Sequence, residues 1–325
     1  MAPARLLLAA ASVLALAADA LAAPPTMGPY AVTNKSYKVP ALDSTDPSLW
    51  LVYPLCNASS DCSKKFPLIA YNHGAAGGDI DLIGYANHFQ QIASWGFVVA
   101  APDSCDVGCT DRAQGAPYTD CAGLPPLQPD LWAPWYGEQL KAIEWARNQT
   151  ANATADPVFA TIDWSTGVGI AGHSMGGQAT SMSASRACAE KWDIRAAALI
   201  HPEIGSLPWG NTGSNISVPV AAFTSSGDKL CPPSTVEQTM RAFNATAQSR
   251  TLPSAYRNVV GWSHLEPVLG AVFENPLLAT YTAAFFKTIL NEDRGFFRDL
   301  VFGGGPDDLC QSEPMVACYV ENAPQ

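Results

Sequence analysis

Short apolar runs, each followed by a segment with apolar positions at helical spacing, recur along most of the chain. Residues 49–53 and 66–71 read as strands, the second bounded by Pro67 and the His73-Gly74 turn. Runs of this length without polar alternation fit strands buried on both faces of a parallel sheet. Between residues 80 and 94, Leu82, Ile83, Ala86, Phe89 and Ile92 recur at helical spacing, and Gly96 marks the helix end. Further strands are expected at 97–101, 167–171, 196–200, 219–224 and 257–260, and further helices at 135–148, 178–187, 236–243 and 277–290. Residues 24–40 read as an extended lead-in. Residues 102–133, rich in Pro, Gly, Asp and Cys, carry no period, and so long a loop is usually functional or pinned by disulfides. The alternation predicts an α/β fold: one domain over residues 23–325, with a mostly parallel, doubly wound sheet flanked by helices.

The first 22 residues stand apart. Arg5 supplies a positive start, residues 6–18 an apolar core, and Ala20-Leu21-Ala22 a small-residue cleavage site, as in a secretory signal. The apolar run is short and ends at Asp19, so a stable membrane anchor is not expected. A plastid transit peptide would carry more Ser and Arg. Sequons at Asn34, Asn57, Asn148, Asn152, Asn215 and Asn244 suit a glycosylated, secreted chain.

Nine cysteines fit an oxidising compartment. Cys56 with Cys62, and Cys310 with Cys318, are close enough to pair locally. Cys105, Cys109, Cys121 and Cys231 could supply two further bridges, which would leave Cys188 as the odd, buried thiol. The formal net charge is −11 and no basic cluster occurs, which argues against nucleic acid as a partner. A monomer is expected.

The candidate chemistry centres on Gly172-His173-Ser174-Met175-Gly176-Gly177, placed between a buried run and a small-residue helix. Strand, G-x-S-x-G, helix is the nucleophile elbow, a strained turn in which glycines prevent Cβ clashes and the central serine is presented at the sheet edge. A serine hydroxyl needs a base, and the base needs an acid to hold it. Asp228 follows the strand at 219–224 in a Gly227-Asp228 turn. His264 follows the next strand in Gly261-Trp262-Ser263-His264. The order Ser, acid, His is the one this elbow requires. Glu203 is the rival acid, since it follows the strand immediately after the elbow. The amide of Met175, and that of Ala75 in the Gly-rich segment after Asn72-His73-Gly74, are the candidate oxyanion donors. His73, His173 and His201 also lie near strand ends. No metal-ligand cysteine spacing or phosphate-loop pattern is present, so neither a metal nor an organic cofactor is expected.

Asn72-His73-Gly74, Trp95-Gly96-Phe97-Val98-Val99, the 172–177 elbow, Gly227-Asp228 and Ser263-His264 together resemble one branch of the α/β-hydrolases. That branch contains chlorophyllases, dienelactone hydrolases, platelet-activating-factor acetylhydrolases and cutinase-like polyester (PET) hydrolases. The resemblance to the polyester hydrolases spans most of the mature chain, from Gly28-Pro29-Tyr30 to the final helix and the late Cys310/Cys318 pair. It implies a serine carboxylic ester hydrolase with Ser174, Asp228 and His264 as its triad, and a small or polymeric lipophilic ester as substrate. Polyester hydrolases carry an aromatic residue where this chain has Ala75, and a tryptophan soon after the strand that here ends at His201-Pro202-Glu203. Plant chlorophyllases place their acid after that same strand. The expected substrate is a long-chain ester of the chlorophyllase type, with a polyester or a general carboxylic ester next. A binding protein on a hydrolase scaffold is the reading from another functional class.

Overall fold

The computed structural model describes residues 26–40, 42, 48–55, 63–74, 84–103, 135–152, 154–204, 212–268, 276–303 and 308–325. Its centre is one sheet of strands β1 (Val32–Lys38), β2 (Ser48–Pro54), β3 (Leu68–Asn72), β4 (Val98–Pro102), β5 (Val168–His173), β6 (Ile194–Ile200), β7 (Val220–Ser225), β8 (Ser254–Val259) and β9 (Met315–Glu321). Across the sheet they run β1-β2-β4-β3-β5-β6-β7-β8-β9. The strands from β4 to β8 are parallel, while β1, β2 and β9 join antiparallel at the two edges. The helices are α1 (Ala86–Ser94), α2 (Trp135–Ala151), α3 (Met175–Ser183), α4 (Arg186–Trp192), α5 (Pro233–Asn244), α6 (Pro276–Leu290), α7 (Phe296–Phe302) and α8 (Leu309–Ser312).

Successive side chains of a strand point to opposite faces, and here both faces are covered. Leu68 and Ala70 of β3 enter a core shared with Leu140 and Ile143 of α2, Met182 of α3 and Met240 of α5. Ile69 and Tyr71 enter a second core with Phe89 and Ile92 of α1 and Tyr281 and Phe285 of α6. A continuous apolar strand is therefore what each position requires. The α/β architecture, the mostly parallel sheet and the double winding agree with the pattern in the sequence. None of the described helices is long and apolar enough to cross a membrane.

The departures lie at the edges and in the cysteines. Part of the lead-in at 24–40 is the edge strand β1, and β9 is a strand that the apolar pattern did not mark. Both are half exposed, so their polar residues hide the period. The helix expected at 178–187 breaks at Ala184 and Ser185, and α4 begins anew beyond it. The cysteine assignment is corrected in part. Cys310 and Cys318 do pair, tying α8 to β9. Cys188 is engaged in a disulfide, so it is not the odd thiol. Cys231 is the free, buried cysteine among the described residues, and its sulfur lies against Glu203, Ser174 and His264 rather than another thiol. Cys56, Cys62, Cys105, Cys109 and Cys121, the signal at 1–22, and all of the loop at 102–133 except residues 102 and 103 lie outside the described residues.

Candidate active site

The order β4-β3-β5 places a chain reversal between β3 and β5, the position where open α/β sheets leave a crevice beyond the carboxyl ends of their strands. Ser174 sits there, between β5 and α3, with φ 55° and ψ −120°. This backbone conformation costs a non-glycine residue about 1–3 kcal/mol and persists only where its surroundings enforce it. They do so here. The Ser174 amide donates to the Ile200 carbonyl at 3.0 Å, and the Ser174 carbonyl accepts from the Glu203 amide at 2.8 Å. A Cβ on Gly172 would lie 2.2 Å from the Gly176 carbonyl oxygen, and one on Gly176 would lie 2.3 Å from that of His73. Both glycines are thus needed for close approach. Met175 opens α3, in the first turn whose amides have no acceptor within the helix.

Three loop ends meet over the serine. His264, beyond β8, holds Nε2 3.0 Å from Ser174 Oγ. Its Nδ1 lies 2.9 Å from Asp228 Oδ2, beyond β7. The other carboxylate oxygen, Oδ1, accepts the amides of Leu230 at 2.9 Å and Cys231 at 2.8 Å. Burial alone would push the Asp228 carboxyl up. Hydrogen bonds from His201, His264 and the Cys231 amide outweigh it and hold the group well below the usual carboxylate range. With Asp228 ionised, His264 Nδ1–H must donate to it, and Nε2 of the neutral ring is then free to accept the Ser174 proton.

The two candidate acids differ in what they touch. Glu203 Oε2 accepts from the Cys231 thiol at 3.0 Å, whereas the carboxylate on His264 is that of Asp228. Burial, followed by the neighbouring Glu203 carboxylate, pushes the Cys231 thiol far up, so it stays protonated. Its sulfur is 3.9 Å from Ser174 Oγ and 4.0 Å from His264 Nε2.

Two further histidines frame His264. His173 Nε2–H donates to the His264 carbonyl at 2.8 Å, and its Nδ1 accepts from the Tyr85 hydroxyl. That hydroxyl accepts the Gly74 amide at 2.9 Å. A buried relay therefore joins the loop after β3, the elbow and the His264 loop. Burial holds His173 well below its ordinary value, and it lowers His73 to about 4, so both rings are neutral at pH 7. His201 is the residue the sequence left without a role: its Nδ1 lies 3.1 Å from the same Asp228 Oδ2. The available signal was its place at the end of β6, beside the strand that leads to Asp228.

The structure thus brings Ser174, Asp228, His264 and Met175 together; Ala75 lies outside the described residues. Of the sequon asparagines, Asn34, Asn148, Asn152 and Asn215 are exposed and Asn244 is half-buried, while Asn57 lies outside the described residues. His201, Asp228 and His264 each offer a ligand atom within 4.8 Å of the others, a composition that also suits a metal ion. With both Nδ1–H groups donating to the carboxylate, neither nitrogen has a lone pair to give in this arrangement. A separate cavity of about 410 Å³, lined in part by Arg186, Asp193, Arg195 and Gln248, opens at the opposite end of the sheet.

No protein-family model matches the chain, and no curated protein matches it. The fold is α/β-hydrolase-like, and the buried His-Asp-His cluster is compatible with a hydrolase active site.

Proposed function

We propose that the chain is a serine carboxylic ester hydrolase. One observation carries this reading. An unbroken set of contacts runs from Ser174 Oγ to His264 Nε2 at 3.0 Å and from His264 Nδ1 to Asp228 Oδ2 at 2.9 Å, on an elbow whose serine holds φ 55°. Ser174 Oγ attacks the ester carbonyl as His264 Nε2 takes its proton. The tetrahedral oxyanion is held by the Met175 amide at the start of α3 and by the Ala75 amide. His264 then gives the proton to the departing alcohol oxygen, leaving an acyl-serine. Water, deprotonated by the same imidazole, attacks the acyl carbon, and the carboxylic acid leaves as Ser174 regains its proton. Asp228 holds the Nδ1–H tautomer throughout and stabilises the imidazolium formed in each half.

The resemblance of the sequence to the chlorophyllase and polyester-hydrolase branch supports a lipophilic ester, with the phytyl ester of chlorophyll first and a cutin-like or PET polyester second. A short acyl ester is accepted in either case. The signal at 1–22 and the sequons support a secreted glycoprotein.

The test is a fluorophosphonate probe, with the modified peptide identified by mass spectrometry, together with turnover of p-nitrophenyl butyrate. Labelling at Ser174 and loss of turnover in Ser174→Ala are expected. A stable adduct elsewhere, or full turnover by the alanine variant, overturns the reading. Product analysis with chlorophyll and with an aliphatic polyester then separates the substrates, and hydrolysis of short esters alone leaves a general carboxylesterase.

A further inference from the structure

We propose that His201 is a positioning residue for the reaction: a second imidazole that shares the Asp228 carboxylate with His264 and locks that carboxylate in place. The inference rests on the ester-hydrolase reading and adds a residue to it.

The geometry is a fork. Asp228 Oδ2 accepts His264 Nδ1–H at 2.9 Å and His201 Nδ1–H at 3.1 Å, while Oδ1 accepts the amides of Leu230 and Cys231. Both carboxylate oxygens are engaged by two donors each, so the group cannot rotate without breaking several bonds. The His201 side chain is fully buried, and its Nε2 meets no hydrogen-bond partner among the described residues. Its backbone adopts φ 42°, the left-handed region that a histidine occupies at a cost. An apolar ring would fill the same space without a buried lone pair, so packing does not account for the imidazole. What the histidine supplies is one N–H aimed at Oδ2.

The consequence concerns where the positive charge forms. When Ser174 gives up its proton, a ring beside Asp228 must become a cation. Burial holds His201 below its ordinary value despite the carboxylate, and a proton on its unpartnered Nε2 would be unsolvated. His264, whose Nε2 faces the reacting oxygen, therefore takes the charge. Meanwhile His201 donates to the same Oδ2 and holds the carboxylate where it meets His264 Nδ1–H. The groups facing this pair are His173, in ring contact with His264, the Cys231 thiol at 4.0 Å from His264 Nε2, and Glu203 behind that thiol. All three remain when His201 is replaced.

The test compares His201→Leu, which lacks the donor, with His201→Asn, whose side-chain amide can donate from near the Nδ1 position, each checked by thermal melting. In the leucine variant kcat for p-nitrophenyl butyrate is expected to fall about tenfold, with KM little changed. The asparagine variant restores kcat. If leucine does not fold, His201→Phe replaces it. A donor-less variant with the wild-type kcat, or equal loss in both variants, overturns the proposal. Proton–nitrogen NMR of histidine-labelled protein reads the fork without turnover: two Nδ1–H groups on Asp228 are expected, and one is lost in the leucine variant. Two such signals in a protein that hydrolyses no ester would sink the hydrolase reading and keep the fork. A single signal in an active esterase would do the reverse.

Discussion

Tyr85→Phe deletes one hydroxyl from the relay beneath the site and leaves the ring environment in place. The ring stacks on Phe89 at 5.5 Å and meets Tyr71 at 5.6 Å, contacts that phenylalanine keeps. The hydroxyl itself accepts the Gly74 amide at 2.9 Å and donates to His173 Nδ1, with all these groups buried. Each buried partner that loses its bond costs about 1–3 kcal/mol, so the loss of two is expected to cost roughly 2–6 kcal/mol. For a chain of this size, at about 2 °C per kcal/mol, the melting midpoint falls by about 4–12 °C. The chemistry suffers as well. Gly74 leads into the segment that carries Ala75, and His173 holds the His264 backbone through its carbonyl. Loosening both is expected to lower kcat about tenfold with KM nearly unchanged, as for a misplaced reacting geometry. Differential scanning calorimetry and p-nitrophenyl butyrate kinetics read the two effects. A midpoint within about 1 °C of the wild type, with unchanged kcat, would show that the relay holds nothing.

Asp228→Asn keeps the shape of the acid but removes its charge, and kcat is expected to fall by about 10³–10⁴ with the fold intact. The Asp228 carboxyl is depressed in the folded state, so its stabilisation is present above the unfolded carboxylate value and is lost as pH falls below it. The stability gap between wild type and variant in urea titrations should therefore narrow below about pH 4. Gly227→Ala places a Cβ 2.2 Å from the Trp262 carbonyl oxygen, forcing apart the loops that carry Asp228 and His264. A loss of about 1–3 kcal/mol and a reduced kcat are expected, and wild-type values for both would refute the close approach. The Cys231 thiol is buried and protonated, so a maleimide should leave the native protein unlabelled at this residue and modify it only after unfolding. Mass spectrometry of native and denatured samples decides this.

The elbow was legible because part of its requirement is local. Gly172 is demanded by the Gly176 carbonyl four residues on, which a strand-turn-helix signature reports in one dimension, whereas Gly176 is demanded by Asn72 and His73 at the end of β3. The parallel strands were legible for a related reason, since burial on both faces leaves no polar positions to confuse the run. Where β1 and β9 close the sheet edges, half-exposure mixes polar and apolar residues, and the pattern faded.

Order along the chain was enough to nominate Ser174, Asp228 and His264, because successive strands of a wound sheet deliver their loops to the same rim. It left the choice between Asp228 and Glu203 open. That choice needed the directions of side chains leaving β6 and β7, and these turn Glu203 to the Cys231 thiol while His201 points at Asp228. Spacing also misassigned the odd cysteine, since distance along the chain does not tell a paired thiol in α4 from one packed against Glu203 and Ser174. Local sterics and burial are written residue by residue. Shared partners, such as two imidazoles on one carboxylate oxygen, come into being only when packing brings distant loop ends within hydrogen-bond reach.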